Sequence, residues 1–513
     1  MRSTESNSLD KLLSFIEKYY YVFLMLVLSL TLFNLFYYLG ETPIYSWDEA
    51  RHGVSAYEMV KNNDFIVNTY GYKNDYWNLK PPVSFWAIAL GYKIAGFNPL
   101  GLRLFSAVAA LLTIFIAAML VKYKHGAAAS LICVLILTTS PKYIVIHSAR
   151  TGDADALFVL FFTVAMIAMI LIEKNRRFLY LAGLAFSLAF LTKSWHALSI
   201  ALTGFIYLLF TKTLFKLKIK EWILFILSSF SPILIWGILR YSRDGFEFFN
   251  MMINYDLLAR TSRTLEGHIG NKWFYVNTLR SYYSMWFAIL ILGLFTYYIS
   301  NSDLIKKNKI NTEKRNYYLA LILWILVPLL AYSKASTKIY WYIYPVYIPI
   351  AIAVSGICGA LIRGVRRNAA VQLAVIISLL VGAGTYETVI LKHIVQFKND
   401  SKRVNIQNIH LSEDIRGADV YVYYGADAKI NVGPISEMKD WEQSDLLSAE
   451  FYWDLVPKDG GFKAFLKDGE NSVILVPKRK EFTKVIEDNK LRVISDSGSM
   501  YILTKNKSSF TKE

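Results

Sequence analysis

Apolar blocks of about 20 residues recur along this chain, the length at which a helix crosses a hydrocarbon layer roughly 30 Å thick. Inside such a layer each backbone N–H and C=O must be satisfied within its own segment, so blocks of this kind form helices. They fall at about 20–39, 100–121, 127–146, 154–172, 178–192, 195–211, 221–240, 281–299, 317–333, 340–361 and 369–391. The expected fold is an all-α polytopic membrane protein with about 11 transmembrane helices. The first block, Tyr20 to Leu39, follows a polar head carrying Arg2, Lys11 and Lys18. It is too long for the apolar core of a signal peptide and lacks a small-residue cleavage site, so it reads as an uncleaved first span.

Charge gives these blocks an orientation. Only 19% of the 513 residues are charged, against roughly a quarter in a soluble domain. The net charge of +17 would suggest nucleic acid in a soluble protein, but most of the excess sits in short connections between apolar blocks. Every alternate connection is basic: the N-terminal head, Lys122 to Lys124, Lys174 to Arg177, Lys212 to Lys220, Lys306 to Arg315 and Arg363 to Arg367. The positive-inside rule puts these in the cytoplasm and leaves 40–99, 147–153, the turn near 193, 241–280, 334–339 and the tail after about 392 outside. Both cysteines, Cys133 and Cys358, fall inside apolar blocks, where a free thiol behaves as a small hydrophobe, so neither a disulfide nor metal chemistry is expected of them.

Two segments of the first outer connection carry helical patterns of their own. Residues 81–99 are apolar but too short to span without inverting every later loop, so they read as an interfacial helix begun by Pro81-Pro82. Glu49 to Asn62 alternates apolar and charged residues at helical spacing and is expected as an amphipathic helix on the membrane surface. From about 395 the composition becomes ordinary: DVYVYYG, NSVILVP and SMYILTK read as strands and KEFTKVIEDNK as a helix. The chain thus divides into a membrane domain, 1–394, and a small extracytoplasmic α/β domain, 395–513. No internal repeat, Gly-rich phosphate loop or metal-type Cys/His cluster accompanies them.

Outer connections are poor in charge, which makes the charges they do carry informative. Asp48 directly follows the first span, where a carboxylate can serve as a general base toward an acceptor or simply cap the next helix. Glu49 would favour that helix's dipole. Lys80 precedes Pro81-Pro82 at the membrane surface, where it either snorkels or meets an anion. Asp153 suits a helix cap, whereas Asp155 falls where an unpaired carboxylate is costly and implies a partner or a role. Loop 241–280 brings Arg260, Arg263, His268 and Lys272, and Lys338 and Tyr342 open a later span. Carboxylates, cations and aromatics on one face compose a site for an anionic lipid headgroup and a sugar.

The run WDEARHGVSAYEMVKNNDFIV, followed by LKPPVSFWAIALGYKIAGFNPLGLRLFSAVAALLT, resembles the first outer loop of GT-C glycosyltransferases. Within these it is most similar to the branch of lipid A aminoarabinose transferases and protein O-mannosyltransferases. ARTGDADALFVLF, FLTKSWH, ARTSRTLEGHIGNKWFYV and STKIYWYIYP follow in the order of that family's later motifs, so the resemblance covers about 20–360. It implies a GT-C-like enzyme that moves a sugar from a polyprenyl-phosphate carrier to a lipid, glycan or protein acceptor. The expected location is the extracytoplasmic face of a cell membrane, the bacterial inner membrane, with membrane lipids and no nucleic acid as partners. By position, Asp48 becomes the catalytic carboxylate, Asp155 with Asp153 the second acidic position, and Lys80, Arg260 and Tyr342 the holders of the carrier phosphate. Arg51 and Lys338 are further candidates for donor binding. Some members carry a carboxylate just before the lysine of the Lys-Pro motif, paired with the loop histidine around a metal. Leu79 stands there in this chain, which argues against a metal at His268; no cofactor is certain, and a divalent metal there stays the open alternative. His52 replaces a common aromatic and sets the acceptor side apart. A transporter or flippase would also have many spans, but it would usually bring repeat symmetry and helices broken at the midplane.

Overall fold

Helices run as far as Lys398, and a five-stranded sheet follows. The structure, a computed structural model, describes residues 8–307, 311–363, 369–398, 414–425, 427–430, 438–469, 471–495 and 499–505. By length and composition seven of the described helices can cross a membrane, or eight if the bent pair Lys11–Lys18 and Tyr20–Phe36 is one span. The expected eleven is not established by that measure.

Two of the long helical stretches fold back on themselves. Pro99–Thr138 leaves helical geometry at Gly126 (φ 81°, ψ 177°), a conformation that favours glycine. Ser130 Oγ then donates 2.7 Å to the carbonyl of Ala118, which a straight helix would hold about 18 Å away. The stretch from Arg177 to Phe210 breaks at Ser194 (φ 46°). Lys193 meets Asp155 at the start of Asp155–Leu171, while a Cβ on Gly204 would touch Met169 near that helix's end. The two arms are therefore antiparallel.

Outward-facing side chains make the solvent plain. The most apolar window of Ile219–Asp244 is only 11% buried and that of Phe274–Ile299 only 17%. Ile223, Leu234, Ile238, Ile291 and Leu292 point away from the protein, which is tolerated where lipid replaces water. The chain is a multi-span membrane protein. One end of the bundle gathers the basic connections, with Lys124 2.7 Å from Glu313 and Asn316 2.6 Å from Glu173. Parts of two of these connections, 308–310 and 364–367, lie outside the described residues.

The opposite end carries the first long loop. Its helix, Asp48–Asn62, forms where expected, but it does not lie on a surface: every residue from Glu49 to Met59 is buried. Of the charges that gave it an amphipathic pattern, Glu49 and Arg51 are paired inside the protein, as described below, while Glu58 is buried without a counter-charge among the described residues. Helix Gln443–Trp453 of the C-terminal domain packs over it so closely that a Cβ on Gly53 would sit 2.5 Å from Leu447. A single apolar core joins Val54, Tyr57 and Ile88 of the loop to Val420, Trp441 and Ile502 of the domain. Helix Val83–Ala95 also contributes to this core and packs along Pro99–Thr138.

Within the first loop β1 (Thr69–Tyr70) and β2 (Lys73–Asn74) form a small hairpin. The C-terminal sheet consists of β3 (Asp419–Val422), β4 (Val456–Pro457), β5 (Ser472–Pro477), β6 (Leu491–Ser495) and β7 (Met500–Lys505), in the order β4-β3-β5-β7-β6. β4, β3 and β5 are parallel, and β7 runs against both its neighbours. The three strands and the helix Lys480–Asp488 read from sequence are present. Side chains alternate as β structure requires: Val420, Val473 and Leu475 face the membrane loop, whereas Tyr421, Ile474 and Val476 face Phe465 and Phe482. The expected boundary at 395 falls beside 399–413, outside the described residues.

Candidate functional site

A cavity of about 900 Å³ opens where the first loop, the turn around 147–153, the break after Lys193, loop 241–280 and the start of the span at Tyr340 converge. Asp48, Lys80, His147, Asp153, Arg260 and Tyr342 all face it. Trp47 takes the capping position at φ 72° with no side-chain cap bond, so Asp48 is the first helical residue and does not cap. Its carboxylate is instead turned to His147, 3.3 Å from Nε2, and remains about a third exposed (35%) within the cavity.

The neighbouring carboxylate holds this corner in place. Glu49 takes a two-pronged ion pair from Arg103 at 2.6 and 3.0 Å and accepts the N–H groups of Tyr45 at 2.7 Å and Gly152 at 2.8 Å. Arg103 spends its remaining donors on the carbonyls of Leu39 and Pro43 and on Thr42. Glu49 is thus a buried junction between first span, loop helix and the 151–153 turn. Its expected role as a charge near a helix N-terminus is the lesser part of what it does.

His147 is the centre of the acidic wall. Its ring lies parallel to Trp341 at 3.7 Å, with Nδ1 3.2 Å from Asp155 and Nε2 3.4 Å from Asp153. Burial would lower its pKa, but Asp153, Asp155 and Asp48 push it up to about 10. Enclosure likewise disfavours a charged Asp48, yet Lys80 and His147 hold its carboxyl well below the usual carboxylate range. Burial lifts Asp153 to about 7 against the pull of His147, with Asp48 and Glu49 adding to the rise. Burial and Lys80 lower His52 to about 3, so its ring is neutral, with Nδ1 2.5 Å from the Asp48 carbonyl oxygen.

Three carboxylates surround one imidazole, and Lys193 pairs with Asp155. Asp153 Oδ1 is buried without a hydrogen bond, which a proton or a cation would satisfy. Asp48, His147 and Asp153 offer ligand atoms within 4.8 Å of one another, so a metal ion could be held there. His268 is not in that group. It occupies another wall of the cavity, where its carbonyl accepts the Lys338 N–H at 3.2 Å.

On the cationic side Arg260 follows a π-helical turn, Met252–Ala259. Its guanidinium lies 3.2 Å from Asp256, donates to Tyr342 Oη at 3.2 Å and reaches Glu266 at 3.7 Å. Asp256 in turn accepts from Ser194 Oγ at 2.8 Å, which ties the loop to the break after Lys193. Lys80 Nζ stands 3.5 Å from Asn78 Oδ1 on the cavity wall, half-buried, not snorkelling at a lipid surface.

The remaining candidates are engaged differently: Arg51 lines the same cavity, whereas Lys338 and Asp155 do not. Arg51 is sandwiched between Tyr70 and Trp77, 4.3 and 3.9 Å from the ring centres, and forms a two-pronged pair with Asp75 at 3.1 and 3.0 Å. Its charge is spent on the loop hairpin. Lys338 donates Nζ to the Ala335 carbonyl, and its side chain is not on the cavity wall. Asp155 stands one layer back and reaches the cavity through His147. Sequence reasoning missed His147, Lys193 and Asp256. Lys193 lies inside the FLTKSWH motif and His147 beside the Arg150 turn, but only folding brings either to a carboxylate.

Together the helical bundle, the roofed first loop and the one-ended cavity define a polytopic membrane protein of the GT-C fold. The crystal structure of ArnT from Cupriavidus metallidurans bound to undecaprenyl phosphate matches over 97% of this chain and 99% of that one, with a TM-score of 0.66 at 14% identity, a likeness of fold. Residues 79–236 match the family model described as dolichyl-phosphate-mannose-protein mannosyltransferase. An undecaprenyl phosphate-alpha-4-amino-4-deoxy-L-arabinose arabinosyl transferase of Aeromonas hydrophila is 27% identical over 63% of this chain and 58% of its own length. A protein of Aquifex aeolicus is 32% identical over 45% of this chain and 46% of its own. The match therefore spans about half the length of these curated relatives. Over part of its length the chain is thus similar to aminoarabinose transferases and to protein mannosyltransferases.

Proposed function

We propose that this protein is a membrane glycosyltransferase that takes a sugar from a polyprenyl-phosphate carrier and passes it to an acceptor on the extracytoplasmic face. One observation carries the reading: an ionised carboxylate, Asp48, shares a cavity with two cations, Lys80 and Arg260, the second steadied by Tyr342. An acceptor hydroxyl or amine attacks the anomeric carbon, the bond from that carbon to the phosphate oxygen breaks, and its electron pair leaves on the carrier phosphate. Lys80 and Arg260 stabilise the charge that develops there. Asp48, held ionised, is a weak base; it orients the acceptor and takes its proton late, once the new bond makes that proton acidic. Were a divalent cation bound by Asp48, His147 and Asp153, it would add electrostatic stabilisation at the same place.

The relatives support the donor: the Aeromonas enzyme's name contains undecaprenyl phosphate, and the Cupriavidus structure is described as bound to it. Support for the extracytoplasmic face comes from charge, since the basic connections gather at the end opposite the cavity. A bacterial inner membrane suits both. The direct test is binding of undecaprenyl phosphate to purified protein. Lys80→Ala and Arg260→Ala should each lose roughly 1.5–3 kcal/mol of affinity, the worth of one charge-assisted contact. Undiminished binding in both variants would remove the phosphate cradle and the reading with it.

A further inference from the structure

The C-terminal domain has a second cavity, of about 600 Å³, to which the transfer step assigns no role. Its position follows from strand order. After β3 the chain leaves through Gln443–Trp453 on the face toward the membrane loop, and after β5 through Lys480–Asp488 on the opposite face. β3 and β5 are hydrogen-bonded neighbours, so their carboxyl ends open into a crevice. Such a switch point is where open α/β sheets bind ligands. The cavity lies there: Tyr423 follows β3, while Arg479 and Phe482 follow β5.

Its lining has a recognisable chemistry. Tyr423 and Phe482 meet edge to face at 5.8 Å and present apolar ring surface, with Tyr423 only half-buried. Around them stand Asp427 and Glu481 as acceptors and Lys429 and Arg479 as donors. Mixed charge of nearly cancelling sign suits a neutral polyol better than a polyanion, and rings flanked by hydrogen-bonding groups suit a pyranose, which has apolar C–H faces and a hydroxyl rim. The wall between this crevice and the Asp48 cavity is thin. Ile430 lines both, and Glu442 of the crevice accepts a 3.2 Å hydrogen bond from Ser46, which lines the other cavity two residues before Asp48.

We infer that the crevice at the carboxyl ends of β3 and β5 binds the carbohydrate part of the acceptor while its reacting group reaches Asp48. The acceptor role rests on the glycosyltransferase reading; the sugar site does not. The test uses the full-length protein in detergent, with maltotriose and triacetylchitotriose as probes in saturation-transfer NMR, beside undecaprenyl phosphate binding. Saturation of sugar C–H protons is expected in the wild type. Tyr423→Ala and the exposed Asp427→Ala should weaken sugar binding about tenfold, a contact or two's worth, and leave undecaprenyl phosphate binding unchanged, with thermal stability unchanged in Asp427→Ala. Asp427→Ala keeps the test independent of folding, because its side chain supports no core. A wild type that binds undecaprenyl phosphate but neither sugar overturns the crevice and spares the donor reading, as does sugar binding indifferent to both substitutions. Binding of sugar through Tyr423 without undecaprenyl phosphate binding sinks the donor reading, and the acceptor role falls with it.

Discussion

Glu58, in the loop helix Asp48–Asn62, faces Glu450, in the domain helix Gln443–Trp453, and both are fully buried. Glu58 Oε1 accepts the Tyr72 N–H at 2.9 Å, while its Oε2 and both Glu450 oxygens have no partner. Asp454 and Lys61 lie near Glu450, and their effects on it oppose each other. Burial raises Glu58 from 4.5 to about 7, and burial together with Glu58 raises Glu450 well above its usual value. A raised carboxyl favours the folded protein while it is protonated. Its contribution is complete below pH 4.5, where the unfolded chain is protonated too, and is lost as pH climbs through about 7. That rise for Glu58 corresponds to roughly 3 kcal/mol. Glu58→Gln keeps the shape, supplies an N–H to Glu450 and removes the titration. Thermal unfolding, with limited proteolysis of the C-terminal domain, should show the wild type weakening between pH 5 and pH 8. The variant should change less and be the more stable of the two at pH 8. Parallel pH profiles for the two proteins would refute the reasoning.

Other expectations follow from the site. Asp48→Asn should lower sugar transfer by at least about 10²-fold with undecaprenyl phosphate binding and melting temperature near wild type, since no cap is lost; wild-type turnover would remove Asp48 from the mechanism. Glu49→Gln should be the more damaging to stability, by roughly 3 kcal/mol, because it leaves buried Arg103 without its counter-charge; an unchanged melting temperature would refute the junction. A cysteine at exposed Ser262 should react with an impermeant reagent added outside intact cells and one at exposed Thr312 should not; the reverse pattern would invert the topology.

What was legible in the sequence was what depends on local pattern. Apolar length marked the spans, short β-branched apolar runs such as SVILVP marked strands, and the turn at Gly126 lay between two apolar blocks that were separable by their basic connection. Asp48, Lys80, Arg260 and Tyr342, candidates from the sequence, share one cavity. Pairings across distant segments were not legible. Arg51 looked available until Asp75, Tyr70 and Trp77 closed around it, and Glu49 looked like a helix-end charge until Arg103 arrived from another helix. The loop helix reads as a surface helix because a charged face suits water, whereas in the fold that face meets other protein.

The roof over the first loop has a consequence for biogenesis. Tyr57 donates a 2.6 Å hydrogen bond to Asp454, 397 residues further along the chain, and the apolar face beneath Gln443–Trp453 depends on that late segment for cover. At 5–20 residues per second, the loop helix waits roughly 20–80 s between its own synthesis and that of its lid. During that interval the apolar face formed by Val54, Tyr57 and Met59 is uncovered, and a nascent chain should present it to whatever insertion factor or chaperone reaches it first. The loop helix is therefore covered only when Gln443–Trp453 has been made and has packed over it, and a chain stalled before that segment leaves the helices of the bundle complete but the loop uncovered.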